Sequence, residues 1–367
     1  MISLANAKKK FLRIGDTLIP IIILSKGCAK KTSDNHATRE KISKLADLID
    51  RGAILTISKD LRAAIVEEAK DQTNVVASNI ETLISKAAKC GQLLRRDEIP
   101  VFADTELNKA PFSIVDLALI TMSEAHNNAI WKDILADNGF SVGKHKVAVQ
   151  LIDMEIGAGG KFNATTEIES GTSLDTIRDL LMGPFLWSSR IIIWDRYILK
   201  QHVAIQLHQK SNKKNLWECS GLEKFLNILV TFHKVENRKP LDSLTIACKS
   251  YVKNSNNRKK YSSKQMIETM SLLAEKLNLQ KYVKEVFLVW NDQGGSERWV
   301  GFEYDSKGFV FQFGSSGMAT ALETSGKKFE DKIQKKFLIT GPLNSSIWEE
   351  GKDFLRKEGI DNRVRIY

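Results

Sequence analysis

Four carboxylates of the N-terminal half stand where a short apolar run meets a helical pattern: Asp16, Glu67 or its neighbour Glu68, Asp116 and Asp133. In a parallel α/β sheet, the carboxyl ends of the strands and the starts of the following helices meet in one crevice. Carboxylates that meet there repel one another unless a hard divalent cation such as Mg²⁺ or Mn²⁺ lies between them. The pattern therefore predicts a metal site that could activate water for phosphodiester hydrolysis.

Each of these carboxylates also has an explanation that needs no metal. Asp116 could interact with the dipole of the helix that it is expected to open. Asp133 could be a surface turn residue. Only the joint placement of the four side chains favours a shared acidic site.

The elements that must hold these carboxylates follow from apolar periodicity and from end signals. We predict strands at residues 11–15, 53–58 and 129–132, and helices at 37–50, 59–70, 77–90 and 113–126. Ser58 is expected to cap the helix that begins at Lys59, and Gly52 to end the helix before it. Alternating strands and helices of this kind indicate an α/β domain with a mostly parallel sheet.

A second α/β pattern follows a glycine-rich break at residues 157–160. Its predicted strands lie at 190–194, 243–248, 286–290, 298–304, 309–313 and 364–367, and its predicted helices at 174–181, 221–235, 264–277 and 347–357. We therefore divide the chain into two domains, residues 1–150 and 151–367, in line with a prior of roughly 150 residues per domain.

Positive charge is the clearest bias in composition, with a net charge of +11 over 367 residues. Much of it is clustered at residues 8–10, 210–214 and 249–264. Such clusters favour polyanionic partners through counterion release, although basic loops can also serve solubility alone. The predicted nucleic-acid contacts are Lys253, Arg258, Lys259, Lys260 and Lys264.

Cysteine spacing and hydropathy indicate the cellular compartment that we expect for this protein. The four cysteines form no CxxC pair, so neither a zinc knuckle nor a redox motif is indicated, and scattered thiols suit a reducing cytoplasm. The apolar run at residues 18–24 is far shorter than the roughly 20 residues that span a bilayer. We therefore expect a cytoplasmic protein without a membrane span.

The order of features over residues 11–142 resembles that of PIN-like nuclease domains. The matching features are Asp16-Thr17, the unit of Ser58 and Glu67 or Glu68, the helix opened by Asp116, and the strand ended by Asp133. The resemblance implies that Asp16, Asp116 and Asp133 hold one or two Mg²⁺ or Mn²⁺ ions. Glu67 or Glu68 would complete the shell, and RNA or DNA would be the substrate.

Residues from about 174 to 330 are similar to phospholipase D-like domains of the type found C-terminal to MIT domains. The similarity rests on Asp195 and Tyr197 after a strand, on Arg298 before another, and on the run Gly308–Gly317. The family's catalysis needs two HxK pairs, and only His208-Gln209-Lys210 is present. The resemblance thus implies a phosphate-binding domain without catalysis, in which Asp195, Tyr197 and Arg298 could instead form a buried cluster that positions the strands.

Taken together, these features predict two α/β domains, a PIN-like parallel sheet followed by a phospholipase D-like sandwich. The predicted function is metal-dependent cleavage of RNA or DNA, which would suit an effector of a microbial defence or toxin system. The alternative is a non-enzymatic scaffold that binds a nucleic acid or a protein partner.

Overall fold

The structure is a computed structural model, in which the chain forms two compact units, residues 1–162 and 163–367. It describes residues 19, 21–24, 26–34, 36–50, 52–95, 117–121, 147–149, 166–199, 202–203, 220–236, 238–248, 262–290, 298–304, 307–314, 317–322, 332–333, 335–341, 345–358 and 363–367. The predicted division at residue 150 lies slightly before the division between the units. No helix within these ranges is long and apolar enough to cross a membrane.

The N-terminal unit is an α/β unit with a five-stranded sheet of order β3-β2-β1-β4-β5. Strands β1 to β4 run parallel to their neighbours, and β5 is antiparallel to β4. The strands are β1 Ile21–Leu24, β2 Ile54–Ile57, β3 Leu93–Arg95, β4 Leu117–Thr121 and β5 Val147–Val149, and the helices are α1 His36–Asp50, α2 Lys59–Ala69 and α3 Val75–Lys89.

Local signals explain the helix ends in this unit. The Ser58 hydroxyl accepts the Leu61 N–H at 3.1 Å and caps α2, as predicted. Asn74 caps α3 in the same way, through the Ala77 N–H at 3.2 Å. Gly52 follows α1 with a φ of +103°, which glycine adopts without strain. Aliphatic side chains from the sheet and from all three helices fill the core between them.

Two elements differ from the sequence predictions. The helix predicted at 113–126 is wrong over Leu117–Thr121, which form β4 beside β1. A short, continuously apolar run fits a strand buried in a parallel sheet as well as it fits a helix, so periodicity could not separate the two. The central strand β1 begins at Ile21, and the strand predicted at 11–15 lies outside the described residues.

The C-terminal unit is built on an eight-stranded mixed sheet of order β13-β9-β8-β7-β10-β11-β12-β6. Strands β7, β8 and β9 are parallel, and every other pairing is antiparallel. The strands are β6 Thr166–Ile168, β7 Arg190–Asp195, β8 Leu241–Cys248, β9 Val283–Trp290, β10 Arg298–Tyr304, β11 Lys307–Phe313, β12 Phe337–Thr340 and β13 Arg363–Arg365. The helices are α4 Leu174–Leu180, α5 Met182–Trp187, α6 Gly221–Glu236, α7 Ser263–Lys276, α8 Met318–Ala321 and α9 Ser345–Glu358.

Aromatic side chains pack on both faces of this sheet. On one face, Phe185 of α5 meets Phe225 and Phe232 of α6 and Phe302 of β10, with ring centroids 5.3 to 5.8 Å apart. On the other face, Trp194 stacks on Trp299 at 5.4 Å, and Trp348 of α9 covers the pair. Both faces are therefore held by large rings whose burial supplies most of the packing energy.

Candidate functional site

The predicted acidic site depends on three aspartates that lie outside the described residues: Asp16, Asp116 and Asp133. Their convergence at the carboxyl edge of a parallel sheet therefore stays a prediction.

Glu67, the predicted fourth member, lies late in α2. Nine residues separate it from the cap at Ser58, a rise of about 13 Å along the helix. Its side chain is 71% exposed and pairs with Lys70 at 2.5 Å, while Glu68 is half-buried. Glu67 is thus a solvated helix residue, far along α2 from the carboxyl end of β2.

The prediction of Mg²⁺ or Mn²⁺ has no counterpart among the described residues. Within them, no group of three or more His, Cys, Asp or Glu side chains could hold a metal ion. Since the three aspartates lie elsewhere in the chain, the metal site stays a prediction.

The C-terminal sheet has a switch in strand order at β7. Its parallel partner β8 lies on one side, and the antiparallel β10, which the chain enters from β9, lies on the other. In open α/β sheets, ligands bind outside the carboxyl ends of the strands at such a point. Asp195 ends β7 there, and Arg298 begins β10 directly opposite it in register.

Asp195 is built into this edge. Its side chain is buried, and its Oδ1 accepts the Tyr197 N–H at 3.0 Å. Gly317, at a φ of +80°, packs so closely that a Cβ there would lie 2.5 Å from Asp195 Oδ2 and 2.6 Å from Arg298 Cδ. The carboxylate, the arginine and the glycine thus fix the end of β7 against the start of β10, which is the positioning role favoured from the sequence.

Two arginines flank the Tyr197 ring beside this cluster. The guanidinium carbons of Arg196 and Arg298 each lie 5.1 Å from the ring centroid, within the range of cation–π attraction. All three side chains are half-buried. The Arg196 Nε is buried and makes no hydrogen bond to any residue that the structure describes. Both guanidiniums therefore lie beside the ring at the strand ends, where they can bind an anion.

Neighbouring polar groups at this edge do not suit nucleophilic chemistry. Burial, with a contribution from the Asp195 carboxylate, raises the pKa of Cys248 to about 12, so its thiol stays protonated. His202 hydrogen-bonds Ser220 through Nδ1 at 2.8 Å, and burial lowers the pKa of His202 to about 4. The Ser220 hydroxyl also accepts the Glu223 N–H at 3.1 Å at the start of α6. The Ser220–His202 pair is therefore a buried helix cap.

Of the five predicted nucleic-acid contacts, one lies among the described residues. Lys253, Arg258, Lys259 and Lys260 lie outside the described residues, in the segment that leaves the carboxyl end of β8 and enters α7. Lys264 is described, in the first turn of α7, with its side chain 85% exposed and 3.9 Å from Glu268. The two ends of this basic segment are thus fixed by β8 and α7.

Sequence reasoning missed Arg196 and Gly317. The dipeptide Arg196-Tyr197 directly after a β-forming run was a usable signal for the first. No local signal shows that Gly317 packs against Asp195, because the two residues are more than a hundred positions apart in the sequence.

No family model, no curated protein and no solved structure matches the chain. The candidate site is therefore defined by its own geometry: a switch point, a buried carboxylate and two guanidiniums within cation–π range of one tyrosine ring.

Proposed function

We propose that the chain binds nucleic acid, with the phosphate backbone held at the carboxyl edge of the C-terminal sheet. The observation that carries this proposal is the placement of Arg196 and Arg298 within 5.1 Å of the Tyr197 ring centroid, at the switch point of the sheet. The basic segment between β8 and α7 begins and ends at the same edge and adds to the positive charge there.

The chemistry of these side chains suits a phosphodiester chain. Guanidinium groups donate two parallel hydrogen bonds to a phosphate, and stacking on an aromatic ring reduces the freedom that binding would remove. Lysines of the basic segment would contribute charge without base contacts. Binding of this kind is sequence-tolerant and weakens steeply as salt rises.

The test is the fluorescence anisotropy of labelled single-stranded RNA and DNA with the full chain at about 50 mM salt. We expect Arg196→Gln to weaken binding by about tenfold, since hydrogen bonds to charged groups contribute about 1.5–3 kcal/mol. Arg178→Gln is the control, because Arg178 lies in the same unit, on α4, and pairs with its helix neighbour Asp175. Equal affinities for the two variants, or no binding by the natural chain, would contradict the proposal.

Metal-dependent cleavage of the bound strand is the second candidate. Its support is the resemblance to PIN-like nuclease domains in the sequence, to which Asp16, Asp116 and Asp133 contribute. Asp133 would complete the ligands for Mg²⁺ or Mn²⁺, and a role as a defence or toxin effector would follow from such cleavage.

Incubation of labelled RNA and DNA with Mn²⁺ separates this candidate from a non-enzymatic scaffold. Cleavage by the natural chain and its loss in Asp116→Asn would support the nuclease. Cleavage that is equal in both proteins, or absent from both, would leave the binding function alone.

A further inference from the structure

Helix α9 covers only part of one face of the C-terminal sheet. Trp194, Ala247 and Val289, in the carboxyl halves of β7, β8 and β9, pack beneath Trp348 of α9. Toward the amino ends of the same strands, this face is the floor of an open groove that encloses about 840 Å³. This groove, called the α9 groove below, lies away from the carboxyl edge where nucleic acid is proposed to bind.

The floor of the α9 groove combines hydroxyl and apolar groups. Ser243 and Thr245 come from β8, Ile192 from β7 and Phe287 from β9. These positions alternate with Leu244, Val286 and other residues that face the opposite core, as strand geometry requires. A ligand on this floor would meet both hydrogen-bonding and apolar surface.

The walls of the groove are cationic. Helix α9 contributes Lys352 and Arg356 on one side, and the edge strand β13 contributes Arg363 and Arg365 on the other. With Arg190, the lining holds five cationic side chains against the three carboxylates Asp242, Glu285 and Glu303. The groove is therefore positive overall.

Each of the three carboxylates already has a cationic partner. Glu303 lies 3.4 Å from Arg190, and Glu285 lies 3.1 Å from Arg365. Asp242 lies 2.7 Å from Lys284, which is outside the groove lining. These pairs neutralise the carboxylates, so the remaining positive charge is available to a ligand.

Arg363 is held differently from the paired arginines. Its guanidinium carbon lies 3.6 Å from the centre of the Phe287 ring, and no described carboxylate forms an ion pair with it. Stacking fixes the plane of the guanidinium and leaves its N–H edges for an anion. Arg356 of α9 lines the same groove and forms a 3.3 Å pair with Asp353, an exposed pair that contributes little.

We propose that the α9 groove binds an organic phosphate of nucleotide size. Arg363 and Arg356 bind the phosphate groups, and the organic part lies on Ile192, Leu355 and the floor hydroxyls. The volume falls within the range of about 300–1,000 Å³ that is typical of small-molecule sites. The site is separate from the proposed nucleic-acid edge, so either can fail without the other.

Calorimetric titration of the full chain with ATP, inorganic triphosphate and adenosine, at constant ionic strength, tests this proposal. We expect saturable one-to-one binding of ATP, with weaker binding of triphosphate and of adenosine because each lacks one half of the contacts. Failure of ATP to saturate, or triphosphate binding as tight as that of ATP, would overturn the proposal.

Variants test which arginines hold the phosphates. Arg363→Gln should weaken ATP binding by about tenfold, and Arg363→Lys by several-fold, since lysine keeps the charge but loses the planar fork. Arg356→Gln, on an exposed helix face where folding is not at risk, should also weaken it. Arg178→Gln is the control, because Arg178, like Arg356, pairs with an aspartate three residues earlier on its helix. It should leave ATP binding unchanged. Equal affinities for Arg356→Gln and Arg178→Gln would contradict the site.

Discussion

The two units bury different kinds of polar side chain. In the N-terminal unit, the described buried polar residues are uncharged: Ser33, Thr38, Thr56, Asn74 and Gln92. In the C-terminal unit, six buried residues are ionisable: Asp195, His202, Glu223, Lys224, His233 and Glu303. Burying an ionisable group costs free energy unless it is paired or neutralised. The C-terminal unit therefore has a desolvation cost that the described part of the N-terminal unit lacks.

The buried polar side chains of the two units also make different contacts. Asn74 and Gln92 bind backbone groups, with Asn74 donating to Ala29 O at 2.8 Å and Gln92 to Ile49 O at 2.6 Å. Such bonds tie loops to helices and require no ligand. The buried Asp195 at the end of β7 lies beside two arginines at a switch point, which is where functional groups concentrate. The comparison therefore supports the proposal that the C-terminal unit holds the binding site.

The largest expected effect is that of Gly317→Ala. Its Cβ would collide with Asp195 and Arg298, and the positive φ adds backbone strain, so we expect a loss of about 3 kcal/mol or more. Gly171 has a similar φ of +87° with nothing near its Cβ position. Gly171→Ala should therefore lose only about 1–2 kcal/mol. Urea unfolding of both variants, followed by tryptophan fluorescence, measures the difference; equal losses would show that the Asp195 cluster is loosely packed.

Acid should destabilise the C-terminal unit through its buried histidines. Burial lowers the pKa of His202 from 6.5 to about 4, so the unfolded chain binds this proton more readily than the folded chain. The stability from His202 is present above pH 6.5 and is lost as pH falls toward 4, by up to about 3 kcal/mol. His233 shifts in the same direction, to about 3, also mainly through burial.

His233→Phe isolates one part of this pH dependence. The imidazole contacts Phe232 and Tyr282, with ring centroids 5.6 and 6.0 Å from its own, and burial is the main cause of its lowered pKa. The phenylalanine variant should be as stable as the natural chain at neutral pH and more stable at pH 5. The exposed His36→Phe serves as the control and should leave the pH profile unchanged. A profile that His233→Phe does not alter would contradict the burial of an uncharged imidazole.

A smaller effect is expected for Asn74→Ala in the N-terminal unit. It removes the cap of α3 and the bond to Ala29 O, for a loss of about 2 kcal/mol in urea unfolding. Ser58→Ala removes the α2 cap alone and should lose about 1 kcal/mol. Because both residues serve the backbone, nucleic-acid affinity should not change in either variant. A large loss of affinity would mean that the N-terminal unit also contacts the ligand.

The sequence predicts much of this fold because many elements carry local signals. The strand Arg298–Tyr304 has its predicted bounds, and the cap at Ser58 is confirmed. Helix α5 was missed because Pro184 suggests a break, yet proline is tolerated in a first turn, where N–H groups lack helical partners. Strands β6 and β12 are three and four residues long and are defined by their pairing with each other.

The candidate site was less predictable, because its assembly depends on long-range contacts that leave no local signal in the sequence. Asp195, Tyr197 and Arg298 could be singled out because each adjoins a strong strand. Their assembly depends on the register of β7 with β10 and on the close approach of Gly317, which are both long-range features. The α9 groove was not foreseen at all, because its arginines come from segments that are far apart in the sequence.

The salt dependence of nucleic-acid affinity tests the central claim most directly. The variant replaces the five predicted contacts by glutamine, and a control replaces five exposed lysines of the N-terminal unit, so that both lose the same charge. The first set is Lys253, Arg258, Lys259, Lys260 and Lys264, and the control set is Lys26, Lys30, Lys44, Lys70 and Lys89.

Each phosphate contact on a single strand contributes about 0.7 to the slope of log affinity against log salt. If the basic segment holds the backbone, its variant should lose about 3.5 from the magnitude of the slope, and the control should keep the slope of the natural chain. Equal losses in both variants, or an unchanged slope in the first, would contradict nucleic-acid binding at the carboxyl edge of the C-terminal sheet.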